Sequence, residues 1–348
     1  MNNPSDIFLK KLLATQSPCG GEKRLAEVFC DYLRDVGKVE VDPMLNSYCT
    51  LNSDNGVRLM LEAHSDEVGF QVTYISEDGY VYFRRNGCAD GMTLLGRKVI
   101  VEGKSGPVVG IVGKKPVHLM GADEGKPVPV EEMWIDIFAS NRKEAESQIS
   151  VGDFVTVKSE PLFSGTKVVS KALDDKIGVY IIAEAMRRIA DLRPEIGICA
   201  CAASQEEVGC RGAVVAANRI RPEYAICVDT GFATDFPGMP EAKYGVMHLG
   251  EGVVINHSCD NNKEFTDFLL SVARRKGIPH QLYTNLAPTG GTDTANIQIS
   301  GKGVKTALLS IPCRYMHTPV EVCDLRDVES AVALIVAAAE GLSSKSNN

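Results

Sequence analysis

VRLMLEAHSDEVGFQVTYISEDGYVYFRR, residues 57 to 85, is where the character of the chain changes. Up to Ala63 it is an apolar run that predicts a buried strand, with His64 and Asp66 directly after it. Beyond them, FQVTYISEDGYVYFRR predicts two strands around the turn Glu77–Asp78–Gly79. RKVIVEG, GPVVGIVG and DFVTVKS continue with short β runs between glycines. Between about residues 67 and 163, helical spacing is confined to a short stretch near Lys143–Gln148. The block predicts a small all-β unit.

On either side of it the chain reads differently. Phe8, Leu9, Leu12 and Leu13 recur at helical spacing, as do Leu25, Val28, Phe29 and Leu33, and Val39–Val41 predicts a strand. From Ser170 onward helices and strands alternate. Helices are predicted over Ile177–Ile189, Gly212–Asn218, Lys263–Lys276 and Val328–Leu342, and strands over Ile196–Ala203, Tyr224–Val228, Gln281–Tyr283 and Thr306–Ser310. Such alternation implies a sheet covered by helices on both faces. The predicted architecture is one α/β domain, residues 1–66 plus 164–348, interrupted by a β insertion over 67–163. The polar tail SSKSNN is predicted to be disordered.

Composition narrows the function classes. The 348 residues, 44% hydrophobic and 24% charged, suit a globular protein of two domains. No stretch approaches the roughly 18 apolar residues of a membrane helix. MNNPSDIFLKK lacks the basic start and apolar run of a secretory signal. Eleven cysteines, odd in number, scattered and without a CxxC pair, predict a reduced cytoplasmic chain with buried thiols. The net charge of -8 and the absence of a basic stripe argue against nucleic acid as a partner.

Five short clusters fall at the ends of predicted strands, where open α/β sheets place their ligands. In AHSDEVGF, residues two apart project to the same side, so His64 and Asp66 can meet, one ligating a metal and the other orienting the imidazole. The plainer reading is a surface pair. In KALDDKIG, Asp174 can bridge two metals with Asp175 behind it, or both can simply be charges favoured at a helix start. In SQEEVGC, after the apolar strand GICACAA, one glutamate can bind a metal while its neighbour addresses a water; the alternative is a solvated turn. Asp229 ends the strand ICVD, and His317 in IPCRYMHTPVEV follows the strand ALLSIP. Taken together, two histidines and three carboxylates give each of two metals three ligands if one carboxylate is shared, with room for a bridging water. Nitrogen and carboxylate donors without thiolate suit zinc, cobalt or manganese, and such a pair suits hydrolysis with the remaining glutamate as general base.

AHSDEVGF, KALDDKIG, QEEVG, the strand-end VD, TGGTD and IPCRYMHTPVE, in this order over nearly the whole chain, resemble family forty-two of the metallopeptidases, the glutamyl and tetrahedral aminopeptidases. The resemblance implies a mixed-sheet zinc-peptidase-like catalytic domain with an inserted β-barrel-like domain. It implies that His64 and Asp229 hold one metal, Glu207 and His317 the other, and that Asp174 bridges both. Glu206 would be the general base and Asp66 would orient His64. A cis peptide is implied at Asp174–Asp175. The insertion would mediate a homo-oligomer, a dodecamer in relatives, enclosing sites that act on short peptides. His118, in KPVHLM of the insertion, reads as structural or interfacial. Lys176, Ser65, Thr294 and Asn296 depart from the usual family pattern without removing a ligand. The TGGTD loop is either a glycine turn with Thr292 capping a helix or a lining of the substrate pocket.

Three other functions compete. An endoglucanase would need two carboxylates about 5–5.5 Å apart across a sugar, whereas Glu206 and Glu207 are chain neighbours, and one Trp with 6% aromatic residues offers little for sugar stacking. A related deacylase or carboxypeptidase would share the metals and base and differ in the substrate anchor. A metal-stabilised scaffold would have no use for a spare glutamate.

Overall fold

Gly197–Ala203 is buried along its whole length, as an apolar run without alternation requires, and lies inside an eight-stranded sheet. The computed structural model describes residues 3–121, 125–287 and 291–344. In spatial order the sheet runs Lys38–Val41, Ser47–Leu51, Gly197–Ala203, Val57–His64, Tyr224–Phe232, Lys305–Cys313, Val253–Asn256 and His280–Tyr283. Four neighbours at its centre, from Gly197–Ala203 to Lys305–Cys313, are mutually parallel. Antiparallel strands flank them on both sides.

Alternation along the central strands sorts side chains to two faces. Leu59, Leu61, Ala63, Ile226 and Val228 join the large core against the helices Leu173–Asp191, Leu325–Ser344 and Lys263–Lys276. Met60, Cys201, Ala225 and Cys227 join the smaller core on the other face, against Arg211–Ile220 and Asp293–Gln298. By the same parity His64 and Asp229 project to the second face. The register that pairs Cys227 with Glu62 brings Asp229 level with His64.

The insertion forms a closed six-stranded barrel of Gly69–Ile75, Val81–Asn86, Trp134–Asp136, Gly106–Gly113, Lys98–Gly103 and Phe154–Val157. Its own core holds Phe70, Phe83, Val99, Val101, Val112, Ile135 and Val155. Closure removes the sheet edges that an isolated set of short strands would expose. His118 is exposed on a short helical turn, Val117–Leu119.

The structure adds elements that periodicity did not predict. Ser47–Leu51 is mixed and Val253–Asn256 very short, so neither signals itself, and each is a strand paired with a long apolar neighbour. The helix expected from Ile177 begins at Leu173, with non-helical dihedrals at Asp174 and Asp175. The last helix extends to Ser344, so Ser343 and Ser344 of the tail are helical; residues 345–348 lie outside the described residues. Among the described residues no helix is long and apolar enough to cross a membrane.

A buried charge cluster joins the barrel entrance to the α/β sheet. Glu67 is 2% exposed; its Oε1 accepts from the Ser17 amide at 2.9 Å and from Lys176 Nζ at 2.9 Å, and its Oε2 pairs with Lys171. Lys176 Nζ also donates to the Thr15 carbonyl at 2.6 Å. Burial opposes ionisation of Glu67, yet the Lys171 and Lys176 ammonium groups hold it down to about 2. Removing one partner of such a set strands the others without counter-charge. Glu67→Ala is therefore expected to cost about 3–5 kcal/mol of folding stability, read as a lower denaturant midpoint with unchanged slope; an unshifted midpoint would show the cluster to be dispensable.

Candidate metal centre

All four parallel central strands deliver side chains to one place at their carboxyl ends. Val57–His64 brings His64 and, beyond it, Asp66; Gly197–Ala203 leads into Glu206 and Glu207; Tyr224–Phe232 carries Asp229; Lys305–Cys313 leads to His317. Asp174 arrives from the start of the helix Leu173–Asp191, where the Asp174–Asp175 peptide is cis as the resemblance implied.

Asp174 sits in the middle of the group. Its Oδ1 is 3.0 Å from His64 Nε2, and its Oδ2 is 3.3 Å from His317 Nε2. His64 Nε2 is also 3.8 Å from Asp229 Oδ1, and His317 Nε2 is 3.2 Å from Glu207 Oε1. Two triads result, His64–Asp174–Asp229 and Asp174–Glu207–His317, each with its donor atoms within 4.8 Å of one another. A third triad, His64–Glu206–Glu207, shares the same space. Asp174 belongs to the first two with a different oxygen facing each imidazole.

Asp66 does more than face His64. Its Oδ1 lies 3.4 Å from His64 Nδ1, which is also 3.2 Å from the Asp66 carbonyl. The same carboxylate accepts the backbone N–H of Glu206 at 2.9 Å through Oδ1 and that of Glu207 at 3.1 Å through Oδ2. It therefore ties the turn that carries both glutamates to the strand that carries His64. Asp175, behind Asp174, is fully buried and accepts the Gly178 amide at 3.0 Å, inside the first helical turn.

Sequence reasoning did not single out Glu321. Its Oε1 accepts the His317 amide at 2.8 Å and its Oε2 the Asp174 amide at 3.0 Å, so one buried carboxylate joins two segments of the centre. It stood in plain view in HTPVE, but its partner Asp174 is far away in sequence and no periodicity links them. Glu62 was likewise missed; it is buried beside this centre and faces Asp293, the last residue of TGGTD, which is buried with it. Thr292 does cap the helix Asp293–Gln298, accepting from the Thr294 amide, while Thr289 and Gly290 of the TGGTD loop lie outside the described residues.

The charge balance of the donor set fits divalent cations. Burial, then the charge of Asp174, pushes Asp229 well above the usual carboxylate range. Burial likewise raises Glu207, and it raises Glu206 to about 8. Burial opposes protonation of His317, yet Asp174 and Glu207 push it up to about 11. Glu207 Oε1 meets the His317 imidazole at 3.2 Å, which Asp174 also faces. Protein groups alone leave this many buried carboxylates poorly compensated, and imidazole with carboxylate is the donor chemistry of zinc, cobalt and manganese.

Comparison with known proteins points the same way. The family model described as M42 glutamyl aminopeptidase matches residues 46–334. A lysyl aminopeptidase from Pyrococcus furiosus is 34% identical over 347 residues, 96% of each chain. The crystal structure of a TET aminopeptidase from a marine sediment Thaumarchaeota archaeon is similar with a TM-score of 0.90 and 30% identity, covering 97% of this chain and 98% of that one. The TET1 peptidase of Pyrococcus horikoshii, described as assembling into a tetrahedron or a large octahedral shell, is similar with a TM-score of 0.87 and 32% identity, covering 96% of this chain and 99% of that one.

Proposed function

This chain belongs to the M42 glutamyl aminopeptidase family and is an aminopeptidase, and we propose that it releases N-terminal residues from short peptides at a centre of two divalent metal ions, zinc or cobalt. The observation that carries this reading is Asp174, whose two carboxylate oxygens each face a different histidine, His64 and His317. His64 and Asp229 would hold one ion, Glu207 and His317 the other, and Asp174 both. When bound, the pair supplies Lewis acidity, polarising the scissile carbonyl and acidifying a water.

The remaining work falls to the protein's own groups. Glu206 takes a proton from the attacking water at its carboxylate and returns it to the departing amine. Asp66 fixes the His64 imidazole and, through the Glu206 and Glu207 amides, the turn that aims both glutamates. Glu321 keeps His317 and Asp174 at a constant separation by holding both of their amides.

The reading extends to organisation and setting. Residues 1–66 and 164–348 form the catalytic part, and 67–163 form an assembly unit in a homo-oligomer, a dodecamer as in the tetrahedral relatives. Exposed Met92, Leu119, Phe138 and Val151 on that unit, and the shells formed by the TET1 relative, support this. All eleven cysteines are free thiols, which supports a cytoplasmic setting. The test separates this enzyme from a deacylase of the same chemistry: a free dipeptide and its N-acetylated form are offered to metal-loaded protein. We expect the free peptide to be cleaved with a kcat/KM about 10⁴-fold higher, the scale on which a site built to hydrogen-bond a substrate amine rejects an analogue lacking it. Preference for the blocked peptide would overturn the aminopeptidase mechanism.

A further inference from the structure

We propose that Glu22 is a positioning residue for catalysis, holding the turn Gln205–Glu207 in the conformation that aims Glu206; this rests on the reading of Glu206 as the base. Glu22 stands immediately before the helix Lys23–Leu33, yet its side chain makes no capping bond there. The side chain is buried instead, with 0% exposure. Its Oε1 accepts the Gly20 amide at 2.7 Å and, across 183 positions of sequence, the Gln205 amide at 3.2 Å.

Gln205 has a φ of 58°, in the left-handed region that residues with a Cβ rarely adopt. Such a conformation persists where the surroundings enforce it. Here three consecutive amides are each held by a carboxylate from elsewhere in the chain: Gln205 by Glu22, Glu206 and Glu207 by Asp66. The Glu206 side chain is held far less firmly, receiving a thiol contact from Cys210 at 3.5 Å. Its direction is therefore set by the backbone beneath it, and Glu22 holds the first amide of that backbone.

The clamp is itself anchored. The Glu67 amide donates to the Ser17 carbonyl at 2.9 Å, and Asn86 Nδ2 donates to the Cys19 carbonyl at 2.9 Å, so the segment before Glu22 is tied to the strand end that carries Asp66 and to the barrel. Glu22 Oε2 has no hydrogen bond, so the clamp uses one oxygen, which a glutamine carbonyl can replace.

The test uses the full-length, metal-loaded protein with an aminoacyl-anilide. Glu22→Ala is expected to lower kcat by about 10²-fold, the scale of a misplacement near 1 Å, with KM within about twofold. Glu22→Gln, which keeps the acceptor, is expected to stay within about threefold of the parent. Hydrogen exchange supplies a readout that needs no turnover: the Gln205 amide loses protection in Glu22→Ala and keeps it in Glu22→Gln. Equal losses of kcat in both variants, or a parental kcat and unchanged Gln205 protection in Glu22→Ala, would overturn the proposal. If Glu22→Ala does not fold, Glu22→Asp, whose shorter side chain withdraws the oxygen from Gln205, replaces it, and a parental kcat there has the same force. Failure of the parent protein to cleave any free peptide would remove the aminopeptidase mechanism instead, while the exchange result would still decide the clamp.

Discussion

Replacing Glu206 by glutamine is expected to reduce kcat by about 10²–10⁴-fold, the contribution of a positioned general base, while metal content and thermal stability stay at parental values. The separation between chemistry and structure follows from the geometry of the turn. The Asp66 carboxylate holds the Glu206 residue by its backbone amide, which the substitution does not touch. Neither triad that includes Asp174 requires the Glu206 carboxylate: one draws on His64 and Asp229, the other on His317 and Glu207, whose Oε1 lies beside His317. Glutamine retains the size of the side chain and loses only the ability to accept and return a proton. Steady-state kinetics on an aminoacyl-anilide, with metal content measured on the same sample, decides the point. A near-parental kcat would remove Glu206 from the mechanism. Loss of metal together with activity would instead place Glu206 among the ligands, as the third triad with His64 and Glu207 permits.

Thorough chelation is expected to have an equally large effect, abolishing peptide release and lowering stability at once. Asp229, Glu206 and Glu207 come together where burial and mutual repulsion make charge unfavourable, around an Asp174 that only the two histidines hold ionised. Ions that bind only the folded chain stabilise it by mass action, about 4 kcal/mol at a free concentration 1,000 times Kd. Stripped protein should therefore melt at lower temperature and show background hydrolysis. Adding back zinc, cobalt or manganese should recover both properties, and the ion that restores turnover at the lowest concentration identifies the preferred metal. Hydrolysis that survives complete removal of metal would dismiss the two-ion centre and revive a mechanism built on carboxylates alone.

Much of the architecture was legible because it depends on period and composition. Alternating helical and apolar segments after Ser170 require a sheet with helices on both sides, and the observed sheet has them. The change of texture after His64 announced a β unit, and a closed barrel stands there. Strands with weak signals were lost. Ser47–Leu51 is ordered mainly by the strand Gly197–Ala203 beside it, and Glu321–Asp324 by Lys167–Ser170, partners that only the folded chain supplies.

The candidate centre divides along the same line. His64, Asp174, Asp229, His317 and the Glu206–Glu207 pair could be nominated from the sequence because each adjoins a segment whose strand or helix character is local, and the resemblance chose Glu207 of the pair as the ligand. Glu22, Glu67 and Glu321 could not. Each carries a side chain of ordinary type, and each acts on a backbone amide or ammonium group brought close by folding. By itself, then, the sequence determined the fold class, the order of the elements and the inventory of chemically able side chains, since these follow from hydrophobic period and residue type. Tertiary structure alone decided which oxygen of Asp174 faces which histidine, that Asp66 grips two amides as well as an imidazole, and how the Gln205–Glu207 turn is held. Those are matters of a few ångströms between residues distant in the chain, and hydrogen-bond geometry at that scale exists only after the strands have packed.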